Sequence, residues 1–168
     1  MSNVLIGIIG VILFIGLALA GALFLGPRFQ ESTNSSKAAA ISAAIAQSAN
    51  AVHLYEANEG KRIVVGDYPL MMEMGYMKTR PYEAYVRDVD GGSLDGSKVD
   101  MIMISSTMNP SFASDEICRA YNRQVGSSGS DAVQSLPTAP MTMRNGCFRT
   151  SAPLGLEPEG AYLYIGRM

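Results

Sequence analysis

The chain has 168 residues, a net charge of −2 and a pI near 5.4, so it offers no basic field to hold a polyanion, and nucleic acid is disfavoured as a main partner. Its 48% hydrophobic content is unevenly placed: much of it lies in the first two dozen residues, and the remainder reads like an ordinary soluble protein. That length suits one membrane segment and one compact head, with no internal repeat and no second folded head.

Met1 to Pro27 contains no charged residue, and Val4 to Gly26 is nearly all Leu, Ile, Val, Phe, Ala and Gly. As a helix those positions rise roughly 34 Å, enough to cross a bilayer. A secretory signal peptide would have a basic start and a shorter apolar core. Residues 1–27 are therefore expected to be a retained transmembrane or filament-core helix. The first cation, Arg28, follows the helix, which by the positive-inside rule alone would leave the head in the cytoplasm. Cysteines suited to a bridge argue for export. A mature product that has lost a short basic leader, with Met1 just after the cut, reconciles the two. Gly7, Gly10, Gly16, Ala20 and Gly26 are candidate helix-packing positions, since Gly16–Ala20 and Ala22–Gly26 have the small-xxx-small spacing. Gly and Ala are also common in membrane helices generally.

Gly26-Pro27 is an expected helix break, because proline removes a hydrogen bond and crowds the preceding turn. Residues 28–60 are expected to continue the helix in amphipathic form, the helical period resuming beyond the polar run Glu31–Ser36. Ile41, Ile45, Ser48 or Ala49, Val52 and Tyr55 form one stripe, opposite Lys37, Ser42, Ala46, Gln47 and Asn50. Asn58-Glu59-Gly60 ends this amphipathic continuation.

Residues 61–168 form the expected α+β head. Ile63–Val65, Tyr82–Val89, Val99–Ser105 and Ala161–Ile165 read as strands, with Tyr82, Ala84 and Val86 on one face and Val99–Ser105 the strongest central candidate. Met141–Arg144, Asn145-Gly146 and Cys147–Thr150 read as a hairpin. One helix interrupts them: Ser114 caps it, Asp115 and Glu116 suit its dipole, and Ile117, Tyr121 and Val125 form its apolar face up to Gly126. Gly126–Pro140 reads as an irregular loop.

Cys118 and Cys147 have 28 residues between them and lack the paired spacing of a zinc site. In an exported head they are expected to form a disulfide worth roughly 3–4 kcal/mol. Two buried free thiols are the alternative. The bridge would tie the helix to the sheet.

Catalytic constellations are scarce. The single histidine, His53, sits on the amphipathic helix with no acid or thiol motif beside it, and reads as a flanking residue. Asp88 to Ser97 opens like a calcium loop, but Ser93 stands at the glycine position and Val99 at the closing carboxylate, so a turn is the better reading. No catalytic residue, cofactor or metal is expected.

The order of parts resembles the type IV pilins, within them the type IVb class of toxin-coregulated and bundle-forming pilins. The resemblance rests on the apolar helix running into KAAAISAAIAQSANAVHLYEANEG, on Met1 as a first mature residue, on SDEICRAYNRQVG carrying the first cysteine, and on AYLYIGRM after the second. Leu5 stands where that family has a glutamate at the fifth mature position, so the resemblance is to an atypical pilin. It implies a pilin-like α+β fold, with the long N-terminal helix packed on a small antiparallel sheet. It also implies a structural subunit held in the inner membrane before assembly and in an extracellular filament afterwards. Its partners would be copies of itself, the inner-membrane assembly machinery and the lipid bilayer. A rival reading is a single-pass protein with an exported binding or sensor head that does not polymerise.

Overall fold

The structure, a computed structural model, describes residues 2–61, 68–88, 100–127, 134–135, 145–153 and 157–167. The chain divides into two compact units, Met1–Asn34 and Ser35–Met168.

Helix α1 spans Ser2–Glu59. It continues through Gly26 and Pro27, which corrects the expectation of a break there. What the proline does remove is a single bond, since it has no N–H for the carbonyl of Leu23 to accept. In the polar run that follows, the Thr33 hydroxyl donates back to the carbonyl of Phe29 at 2.9 Å. The helix stops at Gly60, whose φ of 64° suits glycine and whose N–H reaches the carbonyl of Glu56 at 3.0 Å.

The second unit is α+β, with the C-terminal part of α1 packed on a small sheet. Helix α2 is Tyr68–Glu73, and α3 is Asp115–Gln124. Strands β1 (Tyr85–Asp88), β2 (Asp100–Ser105), β3 (Gln134–Ser135), β4 (Gly146–Arg149) and β5 (Tyr162–Arg167) are ordered β1-β2-β5-β4-β3. Every pairing is antiparallel except β3 with β4. The Val99–Ser105 expectation becomes β2, an interior strand, while the centre of the sheet is β5.

The apolar stripe on α1 is the floor of the core. Ala38, Ile41, Ala44, Ile45, Ala51, Val52 and Tyr55 are buried, and they join Ile102, Ile104, Ile117, Tyr121 and Tyr164 in one cluster. Lys37 and Ser42 are half-buried, and Ala46, Gln47 and Asn50 are exposed, as the helical period requires. The register pairs Ile104 with Tyr164 and Ile102 with Gly166 on the helix side of the sheet. Met101, Met103, Leu163 and Ile165 alternate to the other side and are buried too. Burial on both faces explains why β2 is a continuous apolar run in the sequence.

Four sequence expectations are corrected or extended. Tyr82–Ala84 is not strand: Pro81–Glu83 is a 3-10 turn, with Tyr82 and Glu83 at φ 50° and 53°. Pro81 favours the first position of a helical turn. The Arg80 guanidinium then holds the turn by donating to the carbonyls of Ala84 and Glu83 at 2.6 and 3.0 Å. The type of tight turn expected at Asn145-Gly146, which needs positive φ, is not present. Gly146 lies within β4 without a positive φ, and β4 is flanked by β5 on one edge and β3 on the other. The expected loop Gly126–Pro140 contains β3. Helix α2 was not expected at all. The Ile63–Val65 strand, the Met141–Arg144 arm and the acidic stretch beyond Asp88 lie outside the described residues.

Candidate assembly face and braced head

In the first unit, the large apolar side chains between residues 6 and 23 are left exposed by the described residues. Phe14, Leu17 and Leu23 are 74%, 73% and 76% exposed, and Ile6 through Leu19 supply the rest of the apolar surface. Among the described residues, α1 is the helix long and apolar enough to cross a membrane. At the expected packing positions Gly7, Gly10, Gly16 and Gly26, apart from the adjoining residues and the helix's own backbone, no heavy atom of the described residues comes within 4 Å of where a Cβ would stand, and Ala20 is exposed. The single copy thus leaves those hollows open for another helix or for lipid.

In the second unit, Cys118 and Cys147 form a disulfide with Cα atoms 5.3 Å apart, and both are buried. The sequence brings them together in a legible way. Ser114 caps α3 by accepting the Glu116 N–H at 3.2 Å, and its hydroxyl hydrogen bond holds the Glu116 carboxyl below the usual carboxylate range. The capped helix then turns Cys118 inward beside Ile117, with Arg119 and Arg123 outward. Asn122 adds a second tie, which the sequence did not reveal. Its side-chain oxygen accepts the Cys147 N–H, and its amide donates to the Cys147 carbonyl at 3.2 Å. The bridged segment therefore has covalent and polar locks on the same strand residue.

Two tyrosines anchor this corner. Tyr121 donates to the Ile165 carbonyl at 3.2 Å and Tyr164 to the Phe112 carbonyl at 2.6 Å, with their rings edge to face at 5.4 Å. Burial pushes both phenols well above the ordinary tyrosine range. Tyr162, donating to Asp115, is also raised, first by burial and then by that bond to a carboxylate.

A buried carboxylate escaped sequence reading. Glu157 is 5% exposed and accepts hydrogen bonds from the Ser105 and Thr107 hydroxyls, the latter at 2.7 Å. The three groups join the end of β2 to the segment before β5, across fifty or more positions. Such a contact has no local signature. No group of three or more His, Cys, Asp or Glu that could hold a metal occurs among the described residues. His53 is exposed on α1. An open groove of about 330 Å³ runs between α1 and the turn after α2, lined by Gln47, Asn50, Leu54, Tyr76, Lys78 and Pro81 among others. Among the described residues, no carboxylate, imidazole or thiol lines it.

Comparison with protein-family models, curated proteins and solved structures found no match to this chain.

Proposed function

We propose that this chain is the structural subunit of a type IV pilus-like filament, a homopolymer assembled through its N-terminal helix. The observation that carries this reading is the exposed apolar surface from Ile6 to Leu23. A contiguous patch of that size requires cover, because leaving it in water forfeits about 25 cal/mol for each Å². Lipid of the inner membrane supplies the cover before assembly, and the same helix of neighbouring copies supplies it afterwards. Gly7, Gly10, Gly16, Ala20 and Gly26 suit the second arrangement by letting backbones approach closely. Helices that leave lipid gain no hydrophobic energy from the exchange, so packing and interhelical polar contacts must hold the filament. The inner-membrane machinery of such systems would move the subunit between the two environments.

The head would form the outer surface of the filament. Its disulfide suits an oxidising exterior, where a small domain gains much of its stability from such a bridge. The groove beside Leu54 favours the second reading, a head that binds a ligand while its helix stays alone in the membrane. Electron microscopy of material sheared from expressing cells separates the two. Filaments that bear the head's epitopes support the subunit reading, and their absence, with the protein retained in membranes, refutes it.

A further inference from the structure

The first compact unit, Met1–Asn34, contains two ionised side chains, Arg28 and Glu31. Both are exposed, and neither has an ion pair or side-chain hydrogen bond among the described residues. Three positions apart, they share one side of α1. The same side continues towards the N-terminus with alternating steps of three and four residues. Gly10, Phe14, Leu17, Gly21 and Phe24 are the positions that precede the charged pair in this one seam. Phe14 and Leu17 project from it, and Gly10 and Gly21 leave open space.

On the filament reading, on which this inference rests, the seam faces a parallel second copy. Apolar contact alone sets no axial register, because Phe and Leu surfaces gain nearly as much at one stagger as at the next. Polar groups on a seam do set it, because a wrong stagger strands a charge against apolar side chains. We propose that Arg28 of one copy pairs with Glu31 of the next, and that this self-complementary contact fixes the stagger of the packed helices. A displacement of three residues, about 4.5 Å along the axis, brings the two charges level. That displacement also sets Phe14 opposite Leu17. No other ionised side chain in the unit competes for either partner.

The test is complementation between two single variants of the full chain. R28E gives each copy two acids on the seam, and E31R gives each copy two bases. Each alone is expected to lower filament yield at least about tenfold, since like charges then meet at every contact. An equimolar mixture is expected to assemble again near the wild-type level, with the two variants incorporated together. The melting temperature of the head should stay unchanged in both, as the substitutions lie outside the second unit. A pair within one helix, or Arg28 resting on lipid headgroups, gives no rescue on mixing, and that result overturns the inference. Single variants that assemble as wild type also overturn it. Wild-type chain that forms no filaments in the same assay refutes the filament reading, and this inference with it.

Discussion

Gly166 on β5 lies directly under the Ile45 side chain of α1, so that a Cβ added to the glycine would overlap Ile45. This one contact seats the amphipathic part of the helix on the sheet. Ile102 pairs with Gly166 in the neighbouring strand and completes the surface on which the helix rests. A glycine weakens a strand interior, and is retained where another element approaches closely.

Gly166→Ala is therefore expected to destabilise the head by about 1–3 kcal/mol through overpacking. Ile45→Ala on its own should cost about 2–5 kcal/mol by leaving a cavity. The double substitution should cost clearly less than the two added together, because the new methyl group occupies part of the space left by Ile45. Urea denaturation of the four proteins measures the coupling. Additive costs would show that the two residues are not in contact.

Cys118→Ser opens the bridge between α3 and β4. Loop-closure arithmetic for a bridge spanning 29 positions predicts a loss of roughly 3–4 kcal/mol. For a head of this size that lowers the melting temperature by about 10 °C or more. Surface filaments should fall in parallel, while the exposed neighbour Arg119→Ser should change stability by no more than about 0.5 kcal/mol. Differential scanning calorimetry with and without reductant provides the comparison.

The helix and strands differ in how far their residues announce them. In α1 the apolar stripe repeats for several turns, and α3 carries its cap, its acids and Gly126 in one short stretch, so local pattern suffices. Strand β2 is visible because both its faces are buried. Helix α2 has six residues, too few for a 3.6-residue period to show. Tyr82 and Glu83 alternate as a strand would, and that pattern does not show the turn that Pro81 starts and the Arg80 guanidinium holds through the carbonyls of Glu83 and Ala84. At Asn145-Gly146 a strong local turn signal gave way, since Gly146 is drawn into β4 opposite Ile165. The disulfide was readable from composition, whereas the Asn122 lock and the Ser105–Thr107–Glu157 cluster depend on contacts between distant segments.

Ser48 is fully buried on α1, and its hydroxyl finds no hydrogen-bond partner among the described residues. An unsatisfied buried hydroxyl costs about 1–3 kcal/mol of desolvation, and alanine is also the better helix former. Ser48→Ala is accordingly expected to leave the head at least as stable as wild type, and up to about 1 kcal/mol more so. A loss above 1 kcal/mol in chemical denaturation would indicate a partner for this hydroxyl.

Tyr121 and Tyr164 are expected to contribute, with Tyr162, to the loss of head stability at alkaline pH. Their folded pKa values are raised by burial, so above about pH 10 the unfolded chain releases protons that the folded state retains. The stability from these two groups is fully present below that pH and falls as pH rises beyond it. Replacing both with Phe should lower stability at neutral pH, because two buried hydrogen bonds are lost, and should flatten the alkaline slope. Ultraviolet titration should show both phenols ionising together with unfolding.

Everything turns on whether the bare apolar end of α1 seeks its own kind. The direct measurement is to purify the full chain, remove detergent with no lipid present, so that only other copies can cover the helix, and image the product by electron microscopy. Filaments of uniform width, with oxidised heads outermost and open to protease, are the expected product. Aggregates of no regular width, with no filaments at any protein concentration, would contradict the subunit reading.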